Sequence, residues 1–149
     1  ENRLKRLEDG AVLASEGALI GNRRLLKANP DRLERTRELI ERIEARRNAG
    51  SYLRITANIE GGSEEEVAAK VLERPECAGL QGATISRVYG AGGRRWHAVT
   101  VYVAKSSLTT VVDFFRAIGG ASVTVAEPDY VFGQESPIYT RLLAELGLP

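Results

Sequence analysis

Residues 51–126 read SYLRITANIEGGSEEEVAAKVLERPECAGLQGATISRVYGAGGRRWHAVTVYVAKSSLTTVVDFFRAIGGASVTVA, and the periodicities inside this stretch decide the fold. From Tyr52 to Ile59 the alternation is strict. Leu53, Ile55, Ala57 and Ile59 fall on one side and Tyr52, Arg54, Thr56 and Asn58 on the other, as in a half-buried strand. Gly61-Gly62 breaks the pattern. Ser63 with Glu66 three residues later predicts a capping box for a helix that buries Val67, Ala68, Val71 and Leu72 and ends before Pro75. Thr84 to Tyr89 reads as a second strand and the β-branched run His97 to Ala104 as a third, with Gly90, Gly92 and Gly93 in the hairpin loop between them. Ser106 or Ser107 then caps a helix in which Leu108, Val111, Val112, Phe115 and Ile118 keep helical spacing, Gly119-Gly120 stops it, and Ala121 to Ala126 forms a fourth strand. Two interleaved βαβ units with both helices on one face predict an α+β, ferredoxin-like domain with a four-stranded antiparallel sheet.

Outward from this stretch the chain changes character. Between Leu4 and Ile20 two short apolar stretches flank the turn-forming pair Asp9-Gly10 and are expected to be strands. A lone hairpin is marginal in water, so their partners are expected upstream. Asn29-Pro30 predicts a helix start, with Asn as cap and Pro in the first turn, and the helix should run to about Asn48 before Gly50. Leu33, Thr36, Ile40, Ile43 and Arg47 share its apolar stripe. Its arginines alternate with Glu34, Glu38, Glu41 and Glu44, which reads as a solvated face rather than a nucleic-acid surface. The tail from Asp129 to Pro149 carries a short strand-like piece and a last helix from about Pro137.

The composition narrows the function classes. With 149 residues, 21 Lys and Arg against 20 Asp and Glu, and a net charge of +1, there is no overall field to attract nucleic acid or an anionic membrane. One cysteine, Cys77, excludes an internal disulfide and a multi-thiolate metal site. No apolar run is long enough to span a bilayer. The absence of methionine and the start at Glu1 lead to the expectation that the sequence belongs to a longer chain.

If the helices cover the Leu53 and Ile55 side, the open face carries Arg54, Thr56, Asn58, Thr84, Ser86, Thr100, Tyr102, Ser122 and Thr124. A merely solvated face would be rich in Lys and Glu. This one is mostly hydroxyl and amide, suited to a second subunit or a small polar ligand. RNA binding would need stacking aromatics on the two central strands and a basic surround, and on the third strand only Tyr102 is placed to serve. No enzyme active site is visible: His97 is the sole histidine and sits in an apolar strand, and Gly90 to Gly93 lacks the features of a phosphate loop. Glu64, Glu65 and Glu66 suit the positive end of a helix, and Cys77 reads as an inert small residue.

Several stretches together resemble the C-terminal part of the long-form ATP phosphoribosyltransferases. They are Glu1 to Leu4, Gly10 to Ser15, Ala18 to Ile20, Leu39 to Glu44, Ser51 to Asn58, Gly79 to Ser86 and Ala117 to Ala121, in that order. The resemblance implies residues 1–28 as the end of a periplasmic-binding-protein-like catalytic domain, 29–50 as a connecting helix, 51–128 as an ACT-like regulatory domain and 129–149 as a C-terminal extension. It implies an enzyme that, with Mg²⁺ and in lobes upstream of this segment, joins N1 of ATP to phosphoribosyl diphosphate in the first step of histidine biosynthesis. This segment alone would then be inactive. L-histidine would be the feedback effector, bound between subunits of a homo-oligomer, and the mapped site residues are Leu80, Thr84, Ala121 and Ser122 with Thr56 and Thr124 beside them. Two positions depart from the family pattern: Ala83 stands where proline is common, and Thr56 where some members have an acid. No nucleic acid or membrane partner is implied, and the compartment would be the cytoplasm or a plastid stroma. The alternative is a free-standing metabolite-binding or oligomerisation module without catalysis.

Overall fold

The structure, a computed structural model, describes residues 17–90 and 93–149. Strands β1 (Tyr52–Glu60), β2 (Thr84–Val88), β3 (Trp96–Ala104) and β4 (Ala121–Ala126) form one antiparallel sheet in the order β2-β3-β1-β4. The preceding helices are α1 (Arg23–Ala28) and α2 (Pro30–Ala49); α3 (Glu64–Leu72) and α4 (Leu108–Ala117) are the crossovers, and α5 (Pro137–Leu146) closes the chain. This strand order is the split βαβ arrangement expected from the sequence.

Alternation explains how the sheet is held. Pairing of β1 with β3 sets Leu53 opposite Val103, Ile55 opposite Val101 and Ala57 opposite Val99, so both apolar halves lie on one side. Val67 and Val71 of α3, with Val111 and Phe115 of α4, seal that side, and Ile55, Ile59, Val99, Val101 and Phe115 are fully buried. Each such side chain contributes about 1.5–3 kcal/mol. Exposed ion pairs such as Lys70–Glu66 are screened by solvent and contribute little beside this. The apolar layer therefore fixes the orientation of the sheet, and among the described residues no helix covers its other side.

The capping expectations divide. Ser63 Oγ accepts from the Glu66 N–H at 3.2 Å, while Glu66 Oε2 accepts from the Gly62 N–H at 2.8 Å, one residue earlier than a reciprocal capping box. Neither Ser106 nor Ser107 caps α4 through its side chain. Lys105–Ser107 winds as a tight 3-10 turn and hands the chain directly to Leu108.

Three other expectations are corrected, and a fourth lies mostly outside the described residues. The first expected strand and most of the second fall on residues 1–16, outside the described residues; Gly17 to Gly21 has no regular structure, and Leu19 and Ile20 are exposed. The unanticipated α1 follows, capped by Asn22, whose side chain accepts from the Arg24 and Leu25 N–H groups. On α2, Ile40, Glu44, Ala45 and Ala49 are buried, whereas Ile43 is exposed and Arg47 faces solvent. The stripe is rotated because the tail packs there. The strand-like piece of the tail pairs with no strand: the Val131 N–H donates to the Ala45 carbonyl at 3.0 Å, at the end of α2.

Glu44 is the third correction. It is not part of a solvated face but is 9% exposed. Its Oε1 accepts from the Ile138 N–H at 3.1 Å, and Oε2 accepts from the Ser136 hydroxyl. Ser136 in turn caps α5 by accepting from the Tyr139 N–H at 3.1 Å. A carboxylate on the positive end of a helix is favourable, so Glu44 ties α5 to α2.

Candidate site on the open sheet face

The strand register turns the open face into rows. Thr84 of β2 pairs with Thr100 of β3, Thr100 with Thr56 of β1, and Thr56 with Thr124 of β4. One row of four threonines thus crosses the entire sheet. Thr56 and Thr100 are half-buried, and their hydroxyls lie 2.9 Å apart in a hydrogen bond; Thr84 and Thr124 are exposed. The expected phase of β2 holds, since Thr84 stands opposite Thr100. On one side of the row are Ser86, Ala98, Asn58 and Ala121 in mutual register. On the other are Tyr102, Arg54 and Ala126.

β4 is irregular where it meets the row. Thr124 opposes Thr56 but Ala121 opposes Asn58, so β4 holds an extra residue there. Ser122 takes φ of 54°, the left-handed region, and is the only non-glycine residue with positive φ among the described residues. Backbone of this kind is held against a local cost and re-aims its neighbours. At the opposite edge, Gly79 has φ of 46°, and a Cβ there would come within 2.0 Å of the Tyr102 carbonyl oxygen. Only glycine lets the chain pass this close to β3, and Leu80, exposed, follows immediately.

The six residues singled out from the sequence fall into two groups. Thr56, Ala121, Ser122 and Thr124 cluster at the β4 edge. Leu80 and Thr84 lie at the β2 edge. Three strand spacings separate Thr84 from Thr124, about 14 Å. A free amino acid does not span that distance, so within one copy the two groups do not form one site. Thr100 was read as an open-face residue but not as a site residue; it joins the two halves of the row, and only the pairing register reveals this.

Two cavities lie away from this face. A cavity of about 400 Å³ opens between α2, α5 and Leu19 to Arg23, and one of about 390 Å³ between α2 and Phe132 to Ile138. Neither is lined by a residue of the sheet. His97 is buried on the covered face, 4% exposed, and its Nδ1 has no hydrogen-bond partner among the described residues. Cys77 is buried, and desolvation first, then the Glu76 charge, pushes its thiol up to about 11, which suppresses the reactive thiolate. Among the described residues no group of three or more His, Cys, Asp or Glu side chains is placed to hold a metal ion, and no helix is long and apolar enough to cross a membrane.

Comparison with known proteins adds to this geometry. "ATP phosphoribosyltransferase 2, chloroplastic" of Arabidopsis thaliana is 40% identical over 152 positions, covering 99% of this chain and 37% of that protein. "ATP phosphoribosyltransferase 1, chloroplastic" of the same plant is 39% identical, and the ATP phosphoribosyltransferase of a Bradyrhizobium species is 30% identical over 146 positions. The chain spans 37% to 41% of the length of these relatives. The profile of the family described as "HisG, C-terminal domain" matches residues 49–127, which are β1 to β4 with both crossover helices. This chain belongs to the HisG C-terminal domain family.

Proposed function

We propose that the chain is the histidine-sensing regulatory portion of an ATP phosphoribosyltransferase, and that it binds L-histidine between the open faces or edges of two copies. The observation that carries this reading is the threonine row, with Thr84 and Leu80 at one edge and Thr124, Ser122 and Ala121 at the other. Two copies bring the opposite edges together and supply both halves of one site. Hydroxyls suit the ligand, since each donates to a carboxylate and accepts from an ammonium or imidazole N–H. With Thr56 in place of an acid, neutral oxygens must receive the ligand's ammonium, which favours a site that keeps some water.

The transferase chemistry, which joins N1 of ATP to the anomeric carbon of phosphoribosyl diphosphate and releases diphosphate with Mg²⁺, belongs to the part of the protein beyond this chain. The open face supplies regulation: histidine favours the packing of copies that completes its site, and inhibition follows if that packing is the less active one. The relatives named as chloroplastic support a plastid stroma, with the cytoplasm as the other compartment. Isothermal titration of L-histidine into the 149-residue chain, with D-histidine as control and oligomer size followed in parallel, tests the proposal. Stereoselective binding coupled to a change in association is expected. A folded, associated sample that ignores L-histidine would overturn it.

A further inference from the structure

Among the described residues Arg54 is the one cation on the open side of the two central strands. Its register partners are Tyr102 on β3 and Ala126 on β4, and it stands two residues from Thr56 on the same side of a central strand. Its side chain is exposed, and no carboxylate among the described residues pairs with it. Glu127, which directly follows Ala126, is engaged by Lys105 at 2.8 Å. Glu60, at the far end of the same strand, lies 4.0 Å from Arg94. The contrast with α2 is informative, because there Arg37 sits between Glu34 and Glu41 and binds both. Arg54 instead lies among hydroxyls, with the small Ala126 beside it.

We propose that Arg54 is a specificity-determining residue that grips the α-carboxylate of the amino acid bound at the threonine row. The inference rests on the regulatory reading above and deepens it. A guanidinium offers a planar fork of donors that matches a carboxylate with two parallel hydrogen bonds, and with Glu60 and Glu127 each beside another cation the fork of Arg54 is left open among the described residues. The row beginning at Thr56, about 7 Å along the strand, then meets the ammonium end and side chain. The division of labour fits a zwitterion: the only charged group of the site takes the ligand's anionic end, and neutral oxygens take its cationic end.

The test compares L-histidine with L-histidinamide, which keeps the side chain and amine but has no carboxylate, on the 149-residue chain and its Arg54→Gln and Arg54→Lys variants. A charge-assisted pair of this kind contributes about 10- to 100-fold in affinity. Wild type is expected to prefer histidine by that factor. Arg54→Gln should lose it for histidine, change little for the amide and so erase the preference, while Arg54→Lys should keep part of it. Thermal unfolding of the variants should match wild type, since the side chain is exposed. Retention of the full preference by Arg54→Gln would overturn the role of Arg54 and leave the regulatory reading standing. Failure of the wild-type chain to bind histidine would overturn both.

Discussion

The two faces of the sheet are made from alternate residues of the same strands and have opposite fates. On β1, Leu53, Ile55, Ala57 and Ile59 are buried beneath α3 and α4; Arg54, Thr56 and Asn58, one residue away in each case, have no helix above them among the described residues. The covered face is self-sufficient, filled by valines, isoleucines and Phe115. The open face is organised in rows by the same register yet carries hydroxyls where an ordinary solvated face would carry Lys and Glu. The difference teaches that folding of the domain is settled on one side, leaving the other free for the role proposed for it.

Substitutions on each side can break this contrast. Phe115→Ala on the covered face should cost about 3–5 kcal/mol in urea unfolding, because a fully buried ring leaves a cavity. Glu44→Ala should cost about 2–3 kcal/mol by orphaning the Ile138 N–H and the Ser136 hydroxyl, and hydrogen exchange should show the loss first in α5. Ser122→Gly should raise stability by up to about 1 kcal/mol, since glycine accepts the left-handed backbone at no steric cost. On the open face, Thr56→Val removes the hydroxyl bonded to Thr100 and should change stability by less than about 1 kcal/mol while weakening histidine binding. If Thr56→Val unfolded the chain as Phe115→Ala does, the two faces would not be separable in this way.

The smallest effect concerns acid stability at the start of α3. Lys70 first, then the Gly62 N–H, holds the Glu66 carboxyl below its ordinary value of 4.5. A depressed carboxyl stabilises the fold above the unfolded value and loses that contribution as pH falls through the folded one. Below pH 4.5 the melting temperature of wild type should therefore converge on that of Glu66→Gln, with the gap between them widest at neutral pH.

How much of this was legible in the sequence follows from which interactions are local. β1, β3, β4 and α3 declare themselves because alternation, capping residues and glycine stops act within a few residues of one another. The open face was legible as a set of residues for the same reason. Its assembly into a threonine row was not, since register depends on which strand lies beside which. The face of α2 was misread because its partner is the tail: Ala45 and Glu44 are buried by Val131, Ser136 and Ile138, residues more than eighty positions away, while Ile43 is left exposed. A glutamate among arginines looks solvated until the helix end it caps is known. The tail's alternating Tyr130, Val131 and Phe132 imitate a strand, yet the backbone hydrogen bonds of Val131 go to the last turns of a helix.

The central claim, that one histidine site is completed by opposite sheet edges of two copies, is tested most directly by complementation. Thr84→Arg blocks the β2 edge and Ser122→Arg the β4 edge, and each variant alone should bind no L-histidine. Mixed and allowed to exchange, they should recover about one quarter of the wild-type sites, because random pairing places two unaltered edges together that often. A mixture as silent as its parts, beside a wild-type chain that binds, would contradict the shared site and place histidine within a single copy.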